Sequence, residues 1–108
     1  MTINELCRKA HDIAVQHGWW DEERSFAEQI ALMHSELSEA LEEARNGHGM
    51  TEVYLENDEK PAGIPIELAD CIIRICDTCG KYGIDLEKAI EIKMSYNKNR
   101  PYKHGKEF

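Results

Sequence analysis

The stretch "PIELADCIIRICDTCG", Pro65–Gly80, decides the fold. At about 100° per residue on a helix, Glu67, Asp70, Arg74 and Asp77 fall in one polar sector. Leu68, Ile72, Ile75, Cys76 and Cys79 fill the opposite side. Ala69 and Ile73 widen that apolar sector beyond what one neighbouring helix covers, which predicts burial on two sides. Pro65 suits a first helical turn, so the helix is expected from Pro65 to about Lys81, with Gly83 after it. In a chain of 108 residues, self-association is the economical source of the second covering surface.

Three more helices follow from apolar period and end signals. The first runs from about Ile3 to His17 and stops at Gly18, with Leu6, Ala10, Ile13 and Ala14 as its apolar stripe. The second starts at Ser25, which with Glu28 has the form of a capping box, and runs to about Arg45. The last is capped by Asp85 and runs to about Asn99, where Pro101 forbids continuation. Between the second and third helices, "NGHGMTEVYLENDEKPAGIP" is rich in turn formers and charge. It reads as a loop over about residues 46–64, in which "EVYL" offers at most a short extended piece without an evident partner. The prediction is a single all-α domain, residues 1–108, built as a bundle of four to five helices.

The formal net charge of −8 argues against a nucleic-acid polymer as partner, since phosphates require a basic stripe. It argues equally against an anionic membrane surface. The N-terminus has charges throughout and no apolar core of a signal sequence, and no apolar run approaches transmembrane length, so a cytoplasmic protein is expected. Cys76 and Cys79 form C-x-x-C, but on the apolar side of a helix. Together with Cys7 and Cys71 they read as reduced core thiols.

The second helix contains "LMHSELSEALEEA", Leu32–Ala44, with Glu36, Glu39 and Glu43 along one stripe beside its apolar face. Like charges at this spacing repel. Glu36-x-x-Glu39 on this helix and Glu67-x-x-Asp70 on the next can converge across one groove if a long loop lets the helices pack antiparallel. Four such carboxylates suit a hard divalent cation, Mg²⁺ or Mn²⁺. The last helix adds cations: Leu86, Ala89 and Ile90 begin a line that continues with Lys93, Asn97 and Arg100. Lys93 and Arg100 are thus expected to point inward to anionic oxygens, with Asn97 bonding a phosphate or sugar. Acids for metal and an inward cationic stripe together describe a polyphosphate site. The plainer alternatives are solvated acids on helix faces and a Lys93 that snorkels from the core edge. His34 lies away from the acid pair and reads as structural.

On these residues the chain resembles the MazG-like all-α nucleoside triphosphate pyrophosphohydrolases. The likeness covers about residues 25–105: two ordered acid pairs, "HSELSEALEEAR", "ELADCIIRICD", "YGIDLEKAIEIKMSYNKNRPY" and the final "HG". It implies Mg²⁺-dependent hydrolysis of a nucleoside triphosphate to the monophosphate and pyrophosphate, in a homodimer or dimer of dimers, with nucleotide-pool house-cleaning as the usual role. It further implies Glu36, Glu39, Glu67 and Asp70 as metal ligands, and Lys93, Asn97 and Arg100 match its basic C-terminal helix positions as substrate contacts; one carboxylate with a free oxygen would take a proton from water, and Glu39 is chosen for that role. Trp20, or its neighbour Trp19, is the candidate for stacking on the base; both read equally as core or interface residues. The alternatives are a non-catalytic acidic helical adaptor and a phosphoribosyl-nucleotide pyrophosphohydrolase. A di-iron carboxylate bundle is disfavoured, because no histidine follows a glutamate at the required spacing.

Overall fold

A computed structural model describes residues 1–57 and 59–101. The final "HG" dipeptide, within residues 102–108, lies outside them. Four helices carry the chain: α1 (Ile3–Gln16), α2 (Phe26–Arg45), α3 (Ile64–Tyr82) and α4 (Leu86–Lys98). A single 3-10 turn, Trp19–Asp21, links α1 to α2. The expected residues set the ends, although the capping box at Ser25 is only half formed, because the Glu28 carboxylate pairs with Arg24 at 2.8 Å instead of returning to the Ser25 N–H. Ser25 accepts a bond from the Glu28 N–H, Asp85 accepts from the Lys88 N–H, and Gly83 closes α3 in the left-handed region. Thr2 and Glu5 form a full capping box on α1.

The segment expected to be a loop contains a β-hairpin. β1 (Tyr54–Glu56) pairs antiparallel with β2 (Lys60–Ala62), in the register Tyr54↔Ala62, Leu55↔Pro61 and Glu56↔Lys60. Strands of three residues are too short to show an alternating pattern. Their anchor is tertiary: the Tyr54 hydroxyl donates to the Glu43 carboxylate, with oxygens at 2.7 and 2.9 Å, and the His48 ring stacks on Tyr54 with centroids 4.5 Å apart. Gly63 then turns the chain into α3 at φ 125°; a Cβ there would lie 2.3 Å from the Glu52 carbonyl oxygen.

α3 is the central element, flanked by α1 on one side and α2 on the other. Both flanking helices run antiparallel to it: His11 meets Asp77 and Phe26 meets Tyr82, while Glu36 meets Arg74. Gly80 permits the close approach of α1, since a Cβ there would fall 2.6 Å from the His11 Cβ. Cys7, Ala10, Cys76 and Cys79 form the core between α1 and α3, and all four cysteines are buried and unpaired.

This core is made of small residues. Among the described residues, Ile64 is the one large aliphatic side chain that is buried. Leu37, Leu41, Leu68 and Ile72 on α2 and α3 are each about half exposed, at 48%, 53%, 45% and 53%. The apolar stripe of α2 therefore faces outward, while Gln29, Glu36 and Ala40 turn towards α3. The inversion puts the acids of α2 on α3 and leaves large aliphatic side chains unpacked. No described helix is long and apolar enough to cross a membrane.

Candidate metal centre and adjoining cavity

Antiparallel packing of α2 on α3 brings the two acid pairs to one level. Glu36, Glu67 and Asp70 each offer a carboxylate oxygen, and these oxygens lie within 4.8 Å of one another. Glu36 is buried and its Oε1 accepts a 3.0 Å bond from Arg74 Nε. Glu67 Oε2 is sealed from solvent with no hydrogen-bond partner. Glu39 stands beside Glu67, on the exposed side of the cluster. The glutamate stripe of α2 thus divides: Glu36 and Glu39 serve this cluster, whereas Glu43 holds the hairpin through Tyr54 and His48.

The electrostatics follow from this crowding. At such separations each ionised pair repels by at least about 3 kcal/mol at an effective dielectric near 20. Three mutual repulsions approach the whole stability of a small domain, and Arg74 supplies one compensating charge. Burial pushes the Glu67 carboxyl up to about 8, helped by the Glu39 and Glu36 carboxylates, which favour its protonated form. Asp70 is raised by burial and then by Glu36, and drawn back by Arg74 and by Lys60 from β2. Arg74 shares the polar sector of Glu67 and Asp70 as helical spacing predicts, whereas Lys60 is a cation that the sequence does not single out, because its proximity depends on the hairpin.

A cavity of about 350 Å³ opens from the acids along α3. Glu36 and Asp70 line one end and Asp77 the other, with Ile73 between and Trp19 and Ile13 on the α1 side. Of the paired tryptophans, Trp19 lines this cavity, and the Arg24 guanidinium stacks on it at 3.6 Å. Trp20 is an anchor instead. Its Nε1–H donates to Asp77 Oδ1 at 2.8 Å, and His11 Nδ1 lies 2.9 Å from the same oxygen.

The basic stripe of α4 is placed differently from expectation. α4 is held at its N-terminal end, where Asn4 Nδ2 donates to Asp85 Oδ1 at 2.9 Å and Leu86 packs on the core, while Ile90 lines a cavity with Leu6, Ile72 and Ile75. Beyond Ile90 the helix has no aliphatic residue on that line, so it leaves the core. Lys93 and Asn97 are exposed, and Arg100 is half-buried. Lys93 Nζ and Arg100 Cζ sit 4.8 and 5.4 Å from the Tyr96 ring. Among the described residues no ion pair joins them to the acids of the same chain.

No family model, curated protein or solved structure matches the chain.

Proposed function

We propose that the chain hydrolyses a nucleoside triphosphate to the monophosphate and pyrophosphate, with Mg²⁺ (or Mn²⁺ in its place) held by Glu36, Glu67 and Asp70 and with Glu39 beside them. The observation that carries this reading is Glu67 Oε2, a carboxylate oxygen without a partner, buried in a cluster of three more acids. An isolated buried carboxylate is costly. Oxygen donors of this kind, in excess of their cations, fit a hard divalent ion. The likeness of the ordered acid pairs and the α4 sequence to the MazG-like enzymes supplies the substrate class.

A divalent ion bound there supplies positive charge to the phosphates and acidifies a water. The remaining work falls to side chains. Glu39, the most exposed of the four acids, accepts a proton from the attacking water. Arg74 holds Glu36 Oε1 in place, and Lys60 adds positive charge on the hairpin side. The departing pyrophosphate needs further cations. We assign these to Lys93 and Arg100 of a second copy, with the neutral Asn97 amide bonding a phosphate or sugar beside them, because the C-terminal half of α4 is exposed in the single chain and carries Ile92, Met94 and Tyr96 exposed beside them. Outward Leu37, Leu41, Leu68 and Ile72 support a homodimer or dimer of dimers. Burying a large aliphatic side chain contributes about 1.5–3 kcal/mol, so four half-exposed ones are worth several kcal/mol per copy.

Asp70→Asn tests the reading. It removes one charge with little change of size, so turnover of triphosphates with Mg²⁺ is expected to fall at least 100-fold while helical content stays. Undiminished turnover at limiting Mg²⁺ would rule out the metal assignment.

A further inference from the structure

We propose that Asp77 selects the base, favouring triphosphates whose base carries an exocyclic amino group, such as cytosine, over those with a carbonyl at that position, such as uracil. The inference rests on the reading of the acid cluster as a triphosphate site and names the substrate preference of that site. Asp77 is 7% exposed and lines the end of the cavity opposite Glu36 and Asp70. Seven residues of helix separate Asp70 from Asp77, a rise of about 10 Å. That is the span of a sugar and a base ring, so a nucleotide with its phosphates at the acids brings its base edge to Asp77. Between the two ends the walls are Ile13 and Ile73 with the flat Trp19 ring, and the Arg74 guanidinium, whose Nε is taken by Glu36.

The carboxylate is only half used. Trp20 and His11 both engage Oδ1; Asp77 Oδ2 takes part in no hydrogen bond among the described residues and is not sealed from the cavity. An ionised carboxylate only accepts. An amino group at the base edge gives Oδ2 a donor, whereas a carbonyl placed against Oδ2 sets two acceptor oxygens face to face. A site built to bond one group rejects an analogue that leaves its buried polar atom unpaired. A hydrogen bond to a charged group is worth roughly a 10- to 150-fold preference.

The test compares cytidine and uridine triphosphates, which differ at C4, amino against carbonyl, and at the adjacent N3, bare in cytosine and protonated in uracil; Oδ2 placed against the C4 substituent favours cytosine. The wild-type protein is expected to show kcat/KM at least 10-fold higher for the cytidine substrate. Asp77→Asn keeps an oxygen for Trp20 and His11 and places an amide NH₂ at the cavity. The cytidine-to-uridine ratio should then fall by 10-fold or more, with the uridine substrate gaining or holding. An equal loss for both substrates would mean that Asp77 is only an anchor, and a wild-type ratio near one would overturn the proposal outright. Binding of cytidine and uridine monophosphates, followed by quenching of Trp19 fluorescence, gives a readout independent of catalysis and of the variant's folding: tighter cytidine binding is expected, and equal binding overturns the inference. If neither triphosphate is cleaved yet cytidine monophosphate binds preferentially, the hydrolase reading fails and the assignment of Asp77 stands.

Discussion

Glu67→Gln in the absence of divalent ions should make the protein more stable at alkaline pH and leave it unchanged in acid. The Glu67 carboxyl titrates near 8 in the fold and near 4.5 in the unfolded chain. Between these values the folded state holds a proton that the unfolded state has lost, so folding stability falls as pH rises from 4.5 to 8 and stays low above. A shift of that size is worth at most about 5 kcal/mol at about 1.4 kcal/mol per unit. The cluster is partly open to water, which screens the repulsion, so about 2 kcal/mol is expected. Gln is neutral at every pH and is spared this loss. For a domain of this size about 2 kcal/mol corresponds to a rise of roughly 10 °C in Tm. The assay is thermal unfolding by circular dichroism in chelator, from pH 4 to 9, for both proteins. The curves should coincide near pH 4 and separate progressively towards pH 8, with the variant higher. Mg²⁺ at pH 8 should then stabilise the wild type more than the variant. Parallel pH profiles would show that Glu67 ionises freely and that the carboxylates are not crowded.

Lys93→Met should lower kcat/KM by roughly 10- to 1000-fold while Lys98→Met changes it little, the scale of losing one or two charge-assisted phosphate contacts; equal small effects in steady-state kinetics would remove α4 from the site. Sedimentation at micromolar concentration should show at least a dimer, and Leu37→Glu or Ile72→Glu should dissociate or unfold it; a stable wild-type monomer would contradict the assembly. The Tyr54 phenol, held by the Glu43 carboxylate, is pushed up to about 12, so in an ultraviolet titration Tyr54→Phe should remove the most alkaline tyrosine step and leave the others in place.

Local signals made the helices legible. Ser25, Asp85 and Gly83 each act within one turn of the end they define, and the residues they contact are near in sequence. The sequence also grouped Glu67, Asp70, Arg74 and Asp77 on one face of α3, because helical spacing alone fixes that. It did not disclose what the face meets. Asp77 finds Trp20 and His11 57 and 66 residues away, and that meeting depends on Gly80 admitting α1. The hairpin escaped for the same reason: its hold is Tyr54 on Glu43, and Pro61 within β2 argues against a strand when read alone. Lys93 illustrates the opposite error. Projecting a helix line from Leu86 and Ile90 assumes that the neighbouring helix continues beside it, and α4 outruns its support after Ile90.

The proposed reaction is cleavage between the α- and β-phosphates at a metal site of Glu36, Glu67 and Asp70. The most direct measurement is phosphorus NMR of the products formed from a nucleoside triphosphate and Mg²⁺ in water enriched in oxygen-18. Pyrophosphate and a nucleoside monophosphate carrying the heavy oxygen are expected, and both should vanish with chelator. Orthophosphate with a nucleoside diphosphate, or no Mg²⁺-dependent turnover of any triphosphate in a panel of canonical and modified bases, would contradict the account.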